Sequence, residues 1–250
     1  LENTEDALVF GSGSGAIAAA VLVNVQQGDH IICVDKPYSW THALLNDFLP
    51  RFGVETTFVD GRDVRNFRDA IQQNTRLIIL ESPNSVTFEM QDIEAVTKLA
   101  KEKDILTLMD NSYASPLFQQ PADMGVDIVC HSATKYLNGH SDVVAGVVCS
   151  SKAMIQRIFD GEFMTLGAII SPHDAWLLIR GLRTLQVRMD RVADSTWQVV
   201  QFLEQHPKVA EVYHPFATQN PQRHLAERQL KKGGGQFSIT VKADTIPQVE

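Results

Sequence analysis

Short apolar runs alternate with amphipathic windows along most of this chain. Strands are predicted where β-branched residues cluster, at Ala7–Phe10, His30–Val34, Glu55–Val59, Arg76–Leu80, Ile105–Met109, Asp127–His131 and Val143–Cys149. Helical periodicity lies between them, as in Asp92–Lys101, whose apolar residues form one stripe. Strands that are apolar on both faces and alternate with helices are typical of a mostly parallel sheet covered by helices. The predicted fold class is therefore α/β.

The pattern changes from Ser171 onward. The spacing predicts long helices over Asp174–Leu185 and Val187–His206, then strands at Val209–His214 and Gly235–Val241 on either side of a helix at Pro221–Lys231. We predict a domain boundary near Gln186. A large domain would cover residues 1–186, and the start of a smaller α+β domain would cover residues 187–250.

The composition excludes several classes of function. The net charge of −8 over 250 residues, without any block of Lys and Arg, argues against a nucleic-acid partner. No apolar run approaches the roughly 18 residues of a membrane span, which argues against a membrane partner. Cys33, Cys130 and Cys149 lie in apolar runs, which predicts buried, reduced thiols in a cytoplasmic protein. The histidines show no metal-ligand spacing, so no metal site is predicted.

A glycine-rich turn, Phe10-Gly11-Ser12-Gly13-Ser14-Gly15-Ala16, joins the first predicted strand to an alanine-rich helix. Its glycines allow close backbone approach to a ligand, and the free N–H groups of a helix start bind phosphate. The same residues fit a dinucleotide fingerprint, with Asp35 at the end of the next strand. From this motif alone, a nicotinamide or flavin dehydrogenase, another phosphate-binding enzyme and a structural turn all stay open.

The segment Ser132-Ala133-Thr134-Lys135-Tyr136-Leu137-Asn138-Gly139-His140-Ser141-Asp142 carries the strongest functional signal. A nucleophilic lysine has to be held rigidly and partly desolvated so that its pKa falls. Hydroxyls such as those of Ser132 and Thr134 suit a phosphate. Upstream, Asp110 follows a predicted buried strand, where open α/β sheets gather their ligand contacts. Taken singly, Lys135 also fits a surface loop and Asp110 a buried cap.

Together, the phosphate loop, the aspartate and the lysine segment resemble the Cys/Met-metabolism (transsulfuration) family of pyridoxal-phosphate enzymes. A dehydrogenase has no use for the lysine segment. The resemblance implies the fold type I of PLP-dependent transferases, with pyridoxal 5′-phosphate as cofactor. It implies β- or γ-elimination, or γ-replacement, on cystathionine, homocysteine, cysteine or O-acylhomoserine. It also implies a cytoplasmic homo-oligomer, a tetramer built as a dimer of dimers. A catalytically inactive PLP-fold binding protein remains the non-enzyme alternative.

The resemblance also implies a role for each matching residue. In chain order these are Ser12, Gly13 and Ser14 in the phosphate loop, Tyr38 over the cofactor ring, Asp110 at the ring nitrogen, Ser132 and Thr134 at the phosphate, and Lys135 as the Schiff-base lysine. Tyr38, Asp110 and Lys135 would be catalytic. The family's asparagine after the fourth strand has no clear match, and we expect Asn84 or Ser85 to bind substrate instead. Trp40 stands where methionine γ-lyases carry a cysteine, which disfavours that member.

Both ends of the chain are expected to be cut. The sequence starts at Leu1 rather than methionine, and a new helix is predicted to begin just before Glu250. The resemblance implies an N-terminal arm before Leu1 that reaches a neighbouring subunit's phosphate. It also implies an arginine after Glu250 that binds the substrate carboxylate, for which a guanidinium is the natural partner. The absence of a targeting sequence is therefore uninformative.

Overall fold

A seven-stranded sheet forms the centre of the computed structural model, which describes residues 1–243 and 245. Its strands are β1 (Asp6–Phe10), β2 (His30–Val34), β3 (Glu55–Val59), β4 (Thr75–Glu81), β5 (Leu106–Asp110), β6 (Ile128–Ser132) and β7 (Gly146–Ser150). They lie in the order β1-β7-β6-β5-β4-β2-β3. The pairs from β3 to β6 are parallel, whereas β7 runs antiparallel to both β6 and β1. The predicted mostly parallel α/β sheet is confirmed.

Helices connect and cover the strands. They are α1 (Gly13–Leu22), α2 (Ser39–Ala43), α3 (Val64–Ala70), α4 (Ile93–Glu102), α5 (Ser115–Phe118), α6 (Lys152–Ile158), α7 (Met164–Leu166), α8 (Pro172–Leu182), α9 (Leu185–Glu204) and α10 (Arg223–Gln229). Among the residues described, none of these is long and apolar enough to cross a membrane. Strands β8 (Val209–Tyr213) and β9 (Ser238–Val241) pair antiparallel in a separate two-stranded sheet. Gln186 lies in the first turn of α9, and the domain division there stays a prediction.

The central strands are buried because their side chains are apolar on both faces. Every residue of β2 is buried, and Ile31, Leu77 and Leu108 have no exposed surface. Burying one such side chain stabilises the fold by about 1.5–3 kcal/mol. The three cysteines are buried and free, as predicted. Helix α4 covers the sheet with the predicted apolar stripe, and Asp92 caps it by accepting a hydrogen bond from the Ala95 N–H at 3.2 Å.

Several strand ends meet at one edge of the sheet. In the register, Glu81 of β4 lies opposite Asp110 of β5, which in turn lies opposite Cys130 of β6. Gly146 at the start of β7 pairs with Ser132 on one side and with Phe10 on the other. The glycine loop that follows Phe10 therefore lies at the same edge as the last residues of β4, β5 and β6. Parallel sheets collect their ligands at this carboxyl edge.

This topology excludes the dinucleotide-binding unit. A dinucleotide fingerprint needs the strand before the glycine loop to lie beside the strand that follows its helix, in a βαβ unit. Here β7, β6, β5 and β4 separate β1 from β2. Asp35 at the end of β2 is therefore remote from the glycine loop in strand order, and it does not line the cleft described below. The dehydrogenase interpretation is not supported.

Gly146 gives a test of how tightly the glycine loop packs on β7. A Cβ at Gly146 would lie 2.2 Å from the Ser12 carbonyl oxygen and 2.8 Å from the Gly13 Cα, both backbone atoms. Gly146→Ala is therefore expected to lower the free energy of unfolding by about 1–3 kcal/mol, as overpacking does. Urea unfolding measures this. Gly161→Ala is the control, because nothing lies within 4 Å of a Cβ there. Equal stability of the two variants would contradict the packing described.

Candidate active site

A cleft of about 1680 Å³ opens at the carboxyl edge of the sheet. Every residue to which the family resemblance assigns a role lines it: Ser12, Gly13, Ser14, Tyr38, Asn84, Ser85, Asp110, Ser132, Thr134 and Lys135. These residues come from well-separated segments of the chain, and the strand order brings them together. Their individual roles stay predictions.

The glycine loop forms the start of α1. Ser12 has extended backbone, with φ at −163°, and its Oγ accepts a hydrogen bond from the Gly15 N–H at 3.0 Å. Gly13 and Ser14 come first in the helix, where N–H groups have no partner within the helix. A Cβ on Gly13 would lie 3.0 Å from the Ser132 Cα, so glycine lets the loop approach the end of β6. Free N–H groups at a helix start suit an anion.

Lys135 lies in a tight turn that follows β6. Its N–H donates to the Ser132 carbonyl at 3.1 Å, and its carbonyl accepts from the Gly139 N–H at 2.7 Å. The backbone is therefore held as predicted. The side chain is exposed rather than partly desolvated, which corrects the expectation from sequence. Within residues 1–243 and 245, its Nζ forms no hydrogen bond or ion pair, so the amine is available to a ligand.

The two hydroxyl residues beside Lys135 differ in what they can offer. Thr134 Oγ1 donates to the Ala145 carbonyl at 3.2 Å and accepts from the Ala145 N–H at 3.0 Å. A hydroxyl has one hydrogen to donate, so in this geometry Thr134 has none left for an anion. Ser132 Oγ forms no hydrogen bond with any residue described. Ser132 is therefore the better placed of the two for the predicted phosphate contact.

Asp110 is connected to the lysine turn through Ser112. Asp110 Oδ1 accepts from the Ser112 N–H at 2.9 Å and from its hydroxyl at 2.6 Å. Ser112 Oγ in turn accepts from the Ser132 N–H at 2.6 Å. The other Asp110 oxygen accepts no hydrogen bond in the described part of the chain. Burial raises the pKa of Asp110, while the bonds from Ser112 lower it, so an N–H or cation at the second oxygen would favour the ionised form.

Glu81 is a cleft residue that sequence reasoning missed. It ends β4 opposite Asp110 and is only 8% exposed. Its Oε2 accepts from the Tyr38 backbone N–H at 2.7 Å, and its Oε1 accepts from the Ser85 hydroxyl at 2.6 Å. Burial, and next the nearby Asp110 charge, raise the pKa of Glu81 to about 7. The signal available in the sequence was its position directly after a predicted strand, the same position that singled out Asp110.

The contacts in the loop after β4 distinguish Asn84 from Ser85, the two candidates for substrate binding. The side-chain amide of Asn84 is engaged within its own loop, since its Oδ1 accepts from Thr87 Oγ1 and from the Glu89 N–H, both at 2.9 Å. Its Nδ2 donates to Glu89 Oε2 at 3.2 Å. Ser85 is half-buried, and its hydroxyl donates to Glu81 instead. The geometry therefore leaves Ser85 more accessible to a ligand than Asn84.

The opposite wall of the cleft comes from α9 and from the segment before β9. Arg188 on α9 donates to the Tyr136 carbonyl at 2.8 Å, to the Gly181 carbonyl at 2.9 Å and to Thr184 Oγ1 at 3.0 Å. The Tyr136 hydroxyl accepts from the Gly235 N–H at 2.6 Å. These bonds connect both elements to the lysine segment.

A family model described as Cys/Met metabolism PLP-dependent enzyme matches residues 1–249. The chain belongs to this family. The family's pyridoxal-phosphate chemistry agrees with the free amine, the carboxylate and the glycine loop that line the cleft. The expected family is thereby confirmed.

Curated relatives within the family carry different activities in their names. An L-methionine gamma-lyase from Fusobacterium nucleatum is 40% identical over 97% of this chain and 62% of its own length. A cystathionine beta-lyase from Coxiella burnetii is 37% identical over 98% of this chain and 63% of its own length. This chain therefore spans less than two thirds of these relatives.

The fold is very similar to that of a solved family structure. The crystal structure of cystathionine gamma-lyase from Lactobacillus plantarum, complexed with L-serine, superposes with a TM-score of 0.95. It is 36% identical, and the match covers 99% of this chain and 65% of that one. The predicted fold type is confirmed.

Glu81 is expected to make stability depend on pH. The pKa of the Glu81 carboxyl is about 7 here, compared with 4.5 for an ordinary glutamate side chain. The folded protein therefore binds the carboxyl proton more tightly than the unfolded chain does. The free energy of unfolding should therefore fall as pH rises through that window. Glu81→Gln cannot titrate, so it should gain stability relative to the parent as pH rises.

Urea unfolding of the parent and of Glu81→Gln at several pH values across that window measures the effect. Glu102→Gln is the control, because Glu102 is exposed at the end of α4 and does not line the cleft. A stability difference between Glu81→Gln and the parent that stays constant with pH would contradict the raised pKa.

Proposed function

We propose that this protein is a pyridoxal-phosphate-dependent enzyme of sulfur amino-acid metabolism. It would catalyse elimination or replacement at the β or γ carbon of cystathionine, homocysteine, cysteine or O-acylhomoserine. The observation that carries the proposal is the convergence of Lys135, Asp110 and the glycine loop on one cleft. Family membership supports the cofactor class, and the free amine of Lys135 supports an active rather than a purely binding protein.

The residues of the cleft fit the three functional groups of pyridoxal phosphate. Its phosphate would be held by the N–H groups of Gly13 and Ser14 and by the Ser132 hydroxyl. Its ring nitrogen would donate to the second oxygen of Asp110, and its aldehyde would react with Lys135. When bound, this cofactor acts as an electron sink for charge that develops on the amino-acid substrate.

Each of these side chains would then perform a defined task. Asp110 would keep a proton on the ring nitrogen, because an ionised carboxylate beside it stabilises the cationic form. Lys135 would be displaced by the incoming amino acid and would then move its α-proton as a general base and acid. Tyr38, which has no side-chain hydrogen bond among the residues described, would face the ring and accept a proton from the substrate. Ser85 would contact the substrate from the loop after β4.

The names of the relatives do not determine whether this protein catalyses a lyase or a synthase reaction. A methionine gamma-lyase, a cystathionine beta-lyase and a probable cystathionine gamma-synthase are 40%, 37% and 39% identical to this chain. Trp40 was expected to disfavour methionine cleavage, but it is 64% exposed and does not line the cleft. The substrate class is therefore proposed at the level of the family, and product analysis with cystathionine, O-acylhomoserine plus cysteine, and methionine distinguishes the members.

We also propose a homo-oligomer, with a tetramer built as a dimer of dimers as the expected form. Large apolar side chains exposed near the cleft support it. Val86 and Val144 on its lining are 70% and 61% exposed, and Trp176 and Ile179 on one face of α8 are 58% and 57% exposed. Exposed apolar groups of this size are typical of surfaces that a partner covers.

Borohydride reduction tests the assignment of Lys135. The full-length protein is expected to be yellow with pyridoxal phosphate, and reduction should attach the cofactor irreversibly to Lys135, identified by peptide mapping. Lys135→Ala should not be labelled. Lys101→Ala, at an exposed position of α4 outside the cleft, should be labelled like the parent. An adduct on another lysine, or a colourless protein that binds a nicotinamide dinucleotide, would overturn the proposal.

Asp110→Asn tests the role of the carboxylate. The variant should still attach the cofactor to Lys135, but kcat should fall by about 100-fold or more, since a neutral amide cannot hold the ring nitrogen in its protonated form. KM should change much less than kcat. Asp123→Asn, an exposed aspartate outside the cleft, is the matched control and should behave as the parent. Parent-like turnover by Asp110→Asn would show that the assignment is wrong.

A further inference from the structure

Glu81 has no cationic partner in the described part of the chain, although it is 8% exposed. The nearest ionisable group across the register is another acid, Asp110, which repels it. Burying a carboxyl without a counter-charge is costly unless its oxygens are hydrogen-bonded. The buried Glu81 carboxyl is therefore expected to have a role that depends on its two oxygens as hydrogen-bond acceptors.

The two Glu81 oxygens accept hydrogen bonds from two loops. One oxygen accepts the backbone N–H of Tyr38, four residues beyond the end of β2, at 2.7 Å. The other accepts the hydroxyl of Ser85, in the loop that follows β4, at 2.6 Å. The Glu81 carboxyl thus connects the end of β4 to the start of α2 and is itself braced by Ser85.

The side chain of Tyr38 has few contacts of its own to hold it in place. Its ring is 41% exposed, and within the described residues its hydroxyl forms no hydrogen bond. The position of the ring is therefore set by the backbone from which it projects. That backbone is held at its N–H by Glu81 and at its carbonyl by the His42 N–H at 3.0 Å.

We propose that Glu81 is a positioning residue whose carboxyl, braced by Ser85, fixes the backbone of Tyr38 and thereby the place of its ring over the cofactor. The inference rests on the proposed function, which assigns Tyr38 to the cofactor face. It adds a residue to that site whose action is exerted through Tyr38 rather than on the substrate.

The chemistry of the side chain separates positioning from an effect of charge. A glutamine has the same length, can accept the Tyr38 N–H with its oxygen and can donate its amide hydrogen to Ser85 Oγ. Glu81→Gln therefore keeps both contacts without a charge. Glu81→Ala removes both contacts and the charge together. A positioning role predicts rescue by glutamine, whereas a role for the charge on Asp110 predicts that both variants fail alike.

The experiment compares the two variants in the full-length protein loaded with pyridoxal phosphate. Visible circular dichroism of the bound cofactor reports on the groups packed against its ring, and steady-state kinetics gives kcat and KM. Glu81→Ala should alter the dichroism and lower kcat/KM by about 10- to 100-fold, as misplaced catalytic groups do. Glu81→Gln should match the parent's dichroism and retain its kcat/KM within about threefold. Glu55→Ala, at the opposite end of the sheet, should match the parent in both.

A double-mutant cycle tests whether Glu81 acts through Tyr38. In a Tyr38→Ala background, Glu81→Ala should add little further loss, because the ring it places is already absent. Fully additive losses would overturn the inference. Ser85→Ala removes the brace and should shift the dichroism of the substrate-free, cofactor-loaded protein in the same direction but less. Measured without substrate, this shift does not depend on the substrate contact proposed for Ser85, and it stands in for Glu81→Ala should that variant not fold.

The outcomes distinguish this inference from the proposed function. A parent protein that forms no borohydride adduct on Lys135 overturns both. A parent that does form the adduct, together with an unchanged Glu81→Ala, overturns the positioning role alone. Equal loss in Glu81→Gln and Glu81→Ala also overturns it and assigns the effect to charge.

Discussion

Two carboxyl groups lie side by side where buried parallel strands end, and the rest of the site is organised around them. The register places Glu81 opposite Asp110, and burial alone would raise the pKa of each. Donors from three loops stabilise the pair: the Tyr38 N–H and Ser85 hydroxyl on Glu81, and Ser112 on Asp110. These hydrogen bonds offset the cost of burying the two carboxyl groups, and they also hold the loops that carry the site residues in place.

The same bonds join the carboxyl pair to the lysine turn. Ser112 accepts from the Ser132 N–H, and Ser132 packs against Gly13 of the anion-binding loop. The Asp110 carboxylate, the lysine turn and the start of α1 therefore form one connected unit. This connection holds together the groups from distant parts of the sequence that we propose to bind one cofactor.

Most strands could be predicted because their residues are apolar on both faces, and β2 and β3 have the predicted bounds. Predicted strand ends were wrong where a side chain forms hydrogen bonds with the backbone. Strand β7 begins at Gly146 rather than Val143, because the N–H and the carbonyl of Ala145 are both hydrogen-bonded to Thr134 Oγ1. Strand β9 begins at Ser238 rather than Gly235, whose N–H is bound to the Tyr136 hydroxyl.

Within the site, Lys135 was predictable from the local motif around it, and Asp110 was predictable from its position directly after a predicted strand. Ser112 carried no such signal, since its importance arises from its contact with Ser132 on another strand. Glu81 also follows a predicted strand, but its contacts with Tyr38 and Asp110 could not be inferred from the sequence. For the same reason the sequence suggested a free hydroxyl at Thr134, whereas its donor is engaged by Ala145.

A crystal structure of the full-length protein with pyridoxal phosphate would show directly how the cleft binds the cofactor. Continuous density is expected between the cofactor and Lys135 Nζ. The ring nitrogen is expected within about 2.7–3.2 Å of the Asp110 oxygen that Ser112 does not bind, and the phosphate on the N–H groups of Gly13 and Ser14. A cofactor joined to another lysine, or a ring nitrogen out of reach of Asp110, would contradict the proposed binding.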